Sequence, residues 1–429
     1  MNIDLTQAPA TRGFETLSLQ FPAPISLDNG IPLWVTGEGE EEICTLSVIV
    51  EGGTMYEPKA PLCSLLAGAL IEGNARMSAK EIADQLDYYG AMLATQAYDY
   101  NLVTTLYCLT DNLEHVLPIV LDTLDSATFE PEQFATVVRR QQAQCAMALQ
   151  RVKYLASQEM KRLYFGSNHP LARSPQPADF EQITREQLIK HRQRYYNVEN
   201  CRLVAAGHVG EREIGLINST FGQWQHHGEC AEEPEWELKP EPQRSSFIAK
   251  DDAVQSAITI VMPGVDRHHA DYFNLRILTT VLGGYFGSRL MSNIREDKGY
   301  TYGIGASLYG RRHDSMIGIS TECDSQYTEP VINEIHHEIE RLKQELIGAD
   351  ELATVKQFML SEQAKTLDTP YSIASAIRNQ WLFGTYPDYF NRQVEAILNV
   401  DANQLLATAQ RYFNLDEAFQ VIAGKNINN

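Results

Sequence analysis

Long apolar runs are missing from this chain of 429 residues. No stretch of eighteen apolar residues occurs, so no membrane-spanning helix is expected. The opening Met-Asn-Ile-Asp-Leu-Thr-Gln has neither the basic nor the apolar region of a secretory leader, and a cytoplasmic protein is expected. Cysteine is sparse and unpatterned. The seven (Cys44, Cys63, Cys108, Cys145, Cys201, Cys230, Cys323) are odd in number, and no C-x-x-C occurs among them. A disulfide framework is therefore not expected, and buried reduced thiols are. Positive charge is also short: 35 Lys and Arg stand against 56 Asp and Glu, a net −21. This balance argues against nucleic acid or an anionic membrane surface as a partner and is compatible with basic peptides. There is no G-x-S-x-G nucleophile elbow and no G-x-x-x-x-G-K-[ST] phosphate loop.

What is present is a globular composition, 44% hydrophobic and 21% charged, in a chain too long for one core. An internal repeat divides it. Arg194-Tyr195-Tyr196-Asn197-Val198-Glu199 leads to Leu203–Gly207, and Arg411-Tyr412-Phe413-Asn414-Leu415-Asp416 leads to Gln420–Gly424. The same offset of 217 pairs Ile183 with Val400, Gln187 with Gln404 and Leu188 with Leu405. Each copy reads as an amphipathic helix, a turn and an apolar strand ending at Gly. The expected organisation is an N-terminal half over 1–228, an acidic Pro-containing linker over 229–244, and a C-terminal half over 245–429. The expected class is α+β, two homologous halves, each a largely antiparallel sheet with helices on one face.

Residues 282–308 carry the most specific pattern. Gly283, Gly284 and Gly287 form a turn, a helix follows over about 288–298, and Gly299 is placed to end it. Arg295 falls in the last helical turn and Tyr302 at the start of the next strand. A guanidinium and a phenol beside Gly-lined backbone are donors suited to an oxyanion or a peptide carbonyl. The segment resembles the C-terminal half of pitrilysin/insulinase-type (inverzincin) zinc peptidases, the group that includes mitochondrial processing peptidase. The likeness covers nearly the whole chain. It includes Asn168-His169-Pro170, Thr184–Leu188 and Tyr195-Tyr196 to Gly207 in the family's order.

The resemblance implies H-x-x-E-H on a helix of the first half, two His holding Zn²⁺ and the Glu serving as base. Here Ser64 and Gly68 stand at the His positions and Ala67 at the base. The distal Glu is matched by Gln144, and residues 133–158 hold no Asp or Glu in any register. Ala94 stands where the family often has Asn on a substrate-binding edge strand. No metal and no cofactor are expected in this chain. Other candidates read as structural. His336-His337 with Glu334, Glu338 and Glu340 form a solvated face beside the Ile332, Ile335, Ile339, Leu342 stripe. His226-His227 and His268-His269 lack a ligand pattern, His169 is structural, and Cys63 is a small buried residue.

What the resemblance implies is a non-catalytic subunit of a heterodimeric zinc metallopeptidase, inactive alone. Arg295 and Tyr302 would act on a zinc-bearing homologous partner's site, and Gly283, Gly284 and Gly287 would line the chamber that receives the peptide substrate. A homodimer is possible without the partner. The alternative is a non-enzymatic peptide-binding or structural subunit, like the family's relatives in the respiratory cytochrome complex.

Overall fold

The computed structural model describes residues 17–37 and 39–426. Two sheets organise the chain. The first holds β1 (Ile25–Ser26), β2 (Pro32–Thr36), β3 (Ile43–Glu51), β4 (Met92–Ala97), β5 (Asn101–Leu109) and β6 (Cys201–Gly207) in the order β1-β2-β6-β3-β5-β4. The second holds β7 (Ser245–Ala249), β8 (Gln255–Pro263), β9 (Thr301–Gly310), β10 (Ser315–Asp324) and β11 (Phe419–Gly424) in the order β7-β11-β8-β10-β9. Remove the two-residue β1 and the orders coincide strand for strand. In both sheets a single parallel pair (β2–β6, β7–β11) sits beside otherwise antiparallel ladders.

The 217-residue offset survives in the geometry. Helix Arg185–Tyr195 is capped by Thr184, whose side chain accepts from the Gln187 N–H while Gln187 reaches back. Helix Ala402–Tyr412 is capped by Asp401 and Gln404 in the same way. Such reciprocal caps satisfy two otherwise orphaned helix donors each. Both helices feed a strand that ends at Gly207 or Gly424.

Each sheet buries both faces, and the two faces belong to different halves. Leu46, Val48 and Val50 of β3 point into the first half's own helical core, whereas Ile49, Val103 and Val204 point the other way. There they meet Ile377 and Leu382, from helix Pro370–Phe383 of the second half. The reverse holds as well. Ile258, Ile260 and Met262 of β8 face the second half's helices, while Val261, Phe419 and Val421 pack on Met160, Leu163 and Tyr164 of helix Val152–Phe165, from the first half. The strand alternation of two supplies the two faces, and reciprocal exchange of one helix covers the second. Helices on one face describe each half alone; the opposite face takes a helix from its sibling. Leu19 is also buried in the second core, and its backbone exchanges two hydrogen bonds with Asn391.

Residues 225–244 form neither helix nor strand. Glu241 accepts from the Ser167 N–H and hydroxyl, and Glu233 accepts from Arg312 and His313. Arg312 also donates to Glu51, Asn101 and the Trp381 carbonyl, and its guanidinium lies 4.3 Å from the Tyr100 ring centre. One buried side chain thus joins the linker, the first sheet and the exchanged helix.

Candidate functional site

Helix Leu62–Ala69 is short and apolar, with Leu62, Cys63, Leu65 and Leu66 buried. Ser64, Ala67 and Gly68 fall on its other side, toward helix Pro131–Ala148. The Ser64 hydroxyl donates to Gln141 Oε1 at 2.9 Å, and Gln141 Nε2 donates back to the Ser64 carbonyl at 2.9 Å. Gly68 leaves room for that carboxamide: a Cβ there would lie 2.5 Å from Gln141 Nε2. The contact across the helices is thus made by Gln141, one turn before the expected Gln144, which is exposed and has no side-chain hydrogen bond among the described residues. Helix crossing decides which of two residues three apart reaches a neighbour, and spacing alone does not. This donor set does not fit Zn²⁺. A hydroxyl and a carboxamide, already bonded to each other beside a glycine, offer neither imidazole nor carboxylate. Among the described residues no group of three His, Cys, Asp or Glu is arranged to hold a metal.

Beneath this helix lies a cluster that spacing could not reveal. Glu57 accepts from the Cys63 N–H at 2.8 Å. The Cys63 thiol lies 3.6 Å from His191 Nε2, which sits 2.6 Å from the Gly52 carbonyl. Residue types suggest a Cys–His–Glu nucleophile, but burial denies it. Cys63 has no solvent exposure, and burial pushes its thiol well above the usual range. Burial also lowers His191 to about 4 and raises Glu57 to about 7. A protonated thiol beside a neutral imidazole is the opposite of an activated cysteine. His169 is likewise structural: it is buried, its Nδ1 accepts from the Leu171 N–H, and it stacks on Phe165.

In the second half the expected turn, helix and Gly stop are present. Turns with π-helical bonding cover Thr280–Gly284 and Met291–Asp297, and Gly299 has φ +66°. Gly283 is buried, and a Cβ there would lie 2.5 Å from the Ala306 backbone nitrogen. Its lack of a side chain lets the helix end press on β9, so it does not line a surface. Gly284 and Gly287 are exposed. Arg295 stacks 4.7 Å from the Phe286 ring centre and pairs with Glu296 at 3.5 Å. Tyr302 opens β9 and is 90% exposed, and its hydroxyl has no partner among the described residues. No hydrogen bond joins Arg295 to Tyr302 within the described residues. Arg295 is half-buried against Phe286, which is 63% exposed.

The supposed solvated face of helix Thr328–Gln344 holds the segment that carries Arg295. Glu338 is buried rather than solvated, because Asn293 donates to it at 2.7 Å and Arg341 pairs with it at 3.0 Å. Glu334 takes Asn293 and Lys298. Arg289 is clamped by Glu351 through two bonds of 2.8 and 2.9 Å. Bidentate and charge-assisted bonds of this kind set orientation as well as energy. Ala94 sits exposed on β4, the outer strand of the first sheet, as expected.

Two duplicated α+β halves with matching sheets are the architecture of a peptidase-like fold. Residues 182–359 match the family model of the peptidase M16 inactive domain. The chain is similar to an uncharacterized zinc protease of Rickettsia bellii, 23% identical over 94% of this chain and 97% of the relative. It is similar to the non-peptidase homolog YmxG of Helicobacter pylori, 22% identical over 80% and 79%. It is 25% identical to mitochondrial-processing peptidase subunit alpha-1 of Dictyostelium discoideum over 47% of this chain and 32% of that one. A solved peptidase M16 inactive domain from Pseudomonas fluorescens superposes with TM-score 0.85 at 21% identity, covering 95% and 98%. A chain of complex III2 from Candida albicans gives 0.73 at 14% identity, covering 94% and 95%. Residues 182–359 carry the inactive-domain pattern of the M16-type, pitrilysin/insulinase-like family, and the chain as a whole has the fold of a solved M16 inactive-domain protein.

All seven cysteines are free, and among the described residues no helix is long and apolar enough to cross a membrane.

Proposed function

We propose that this chain is the zinc-less subunit of a heterodimeric metallopeptidase of the cytoplasm, and that Arg295 and Tyr302 serve peptide bound at a zinc-bearing homologous partner. One observation carries the reading. The Ser64–Gln141 pair closes the first half's helix, while Phe286 and Tyr302 stand exposed and the half-buried Arg295 stacks on Phe286. Arg and aromatic side chains are the residues that anchor interfaces. The partner brings the metal-activated water; this chain brings donors to the carbonyl as it gains charge. The likeness to a mitochondrial-processing peptidase subunit and to a non-peptidase homolog supports a subunit that works beside another.

A second reading, a peptide-binding or structural subunit, is favoured by the local engagement of Arg295 with Phe286 and Glu296. Reconstitution separates the two. Peptide cleavage is measured for this chain, for a candidate partner carrying H-x-x-E-H, and for the mixture. Activity only in the mixture, diminished by Arg295→Ala, supports the first reading. A mixture no more active than the partner alone, or one indifferent to Arg295→Ala, removes it.

A further inference from the structure

A cavity of about 550 Å³ lies in the second half, between helix Tyr272–Thr279, the outer strand β9, and helices Ala349–Ala364, Pro370–Phe383 and Tyr389–Asn399. By strand order it corresponds to the place that Ser64 and Gln141 close in the first half: behind the helix after the third strand, beside the outer strand and the long helix. In the second half the space is open. Its size is that of a site for a small organic ligand.

The wall is cationic in a chain of net charge −21. Arg276 donates through Nη1 to Gln393 Oε1 at 3.0 Å and has no carboxylate partner among the described residues. Arg267 donates to the Gly310 carbonyl and the Tyr389 hydroxyl, lies 4.2 Å from the Phe383 ring centre, and also has no carboxylate partner there. Glu362 is the acidic residue in the wall, and its carboxylate is taken by Lys365. Gln393 is 3% exposed, and its Nε2 has no hydrogen-bond partner. Because a guanidinium only donates, Arg276 fixes the amide with oxygen toward itself, so the orphan is the N–H₂ group. The Nε2 of Gln380, in the same wall, is orphaned too. Two guanidiniums without counter-charge and two carboxamide donors without acceptors leave a deficit of negative charge and of acceptor atoms. Phe383, Tyr389 and Phe390 give the rest of the wall an apolar, aromatic surface.

We propose that this cavity binds an organic carboxylate: Arg276 pairs with the carboxylate, Gln393 positions Arg276, and the aromatic wall covers the ligand's apolar body. The carboxylate comes from a free small acid or from an acidic residue or terminus of a peptide. The proposal does not rest on the peptidase reading.

The test uses the purified full chain. Isothermal titration and thermal shift are run with 3-phenylpropionate, its neutral amide, and a short peptide carrying Glu beside Phe. Saturable binding of the free acid or of the peptide, with none by the amide, is expected, and which one binds identifies the source. Arg276→Gln should weaken binding at least about tenfold, the loss of one charge-assisted contact. Gln393→Glu keeps the fold and supplies the missing carboxylate internally. It should raise the thermal midpoint of the unliganded protein while weakening the acid at least about tenfold. No saturable binding of either carboxylate, equal binding of the amide, or unchanged affinity in Gln393→Glu overturns the proposal.

Discussion

Gln141 holds Ser64 twice, accepting from its hydroxyl and donating to its carbonyl, both at 2.9 Å. The carboxamide rests in the space that Gly68 leaves. These three residues form one packed unit, and two of them, Ser64 and Gly68, stand where the resemblance places the two His.

That unit predicts a coupling. Gly68→Ala should destabilise the wild-type chain by about 1 kcal/mol, because the new methyl displaces Gln141 from Ser64. In Gln141→Ala the same substitution meets less obstruction and should stabilise by up to about 1 kcal/mol through helix propensity. Urea denaturation of the four proteins of the cycle measures the difference, and additive effects would contradict it.

Arg312 is the second target. It is 9% exposed by its side chain and spans Glu51, Glu233, Asn101 and the Trp381 carbonyl. Arg312→Ala leaves Glu51 with Arg202 and Tyr56 but takes the Arg312 donor from Asn101 Oδ1 and the Trp381 carbonyl, and should cost about 1–3 kcal/mol. Arg312→Lys should recover little, since one ammonium cannot match a planar fork aimed at several acceptors. Denaturant midpoints decide, and the exchanged helices predict one cooperative transition rather than two.

Glu57 and His191 predict a compensated pH dependence. The Glu57 carboxyl moves from 4.5 to about 7 in the folded chain because burial disfavours its charge. Its contribution to stability is full below 4.5 and is lost as pH rises to about 7. Burial moves His191 from 6.5 to about 4. Its contribution is full above 6.5 and is lost as pH falls to about 4. Between pH 4.5 and 6.5 the two slopes oppose each other. Glu57→Gln removes one, so relative to wild type it should gain about 3 kcal/mol between pH 4.5 and 7. Urea unfolding across that range checks the sign; a constant difference contradicts it.

For the proposed pair of subunits, Arg295→Ala should lower kcat of the mixture about 100- to 1000-fold, with KM changed less, as loss of a donor to a developing oxyanion does. Phe286→Ala should act more weakly, by freeing the guanidinium from its ring. Rates of the mixture under saturating peptide make the comparison.

Much of this was legible in the chain. The offset of 217 revealed the duplication because helix caps and core positions depend on local chemistry: Thr184 with Gln187 and Asp401 with Gln404 make the same cap. Gly299 ended its helix as expected, since only a residue tolerant of positive φ fits there.

Tertiary structure alone decided the rest. Gln141 rather than Gln144 meets Ser64, Gly283 is buried, and Glu338 anchors the Arg295 helix instead of facing water. The exchange of helices Val152–Phe165 and Pro370–Phe383 leaves no local trace, because an apolar stripe does not name the sheet it will cover. Nor does sequence show that Arg276, Gln380 and Gln393 share a cavity. Periodicity and residue type are properties of short segments; crossing angle, partner and enclosed space arise only when segments that are not neighbours in the chain pack together.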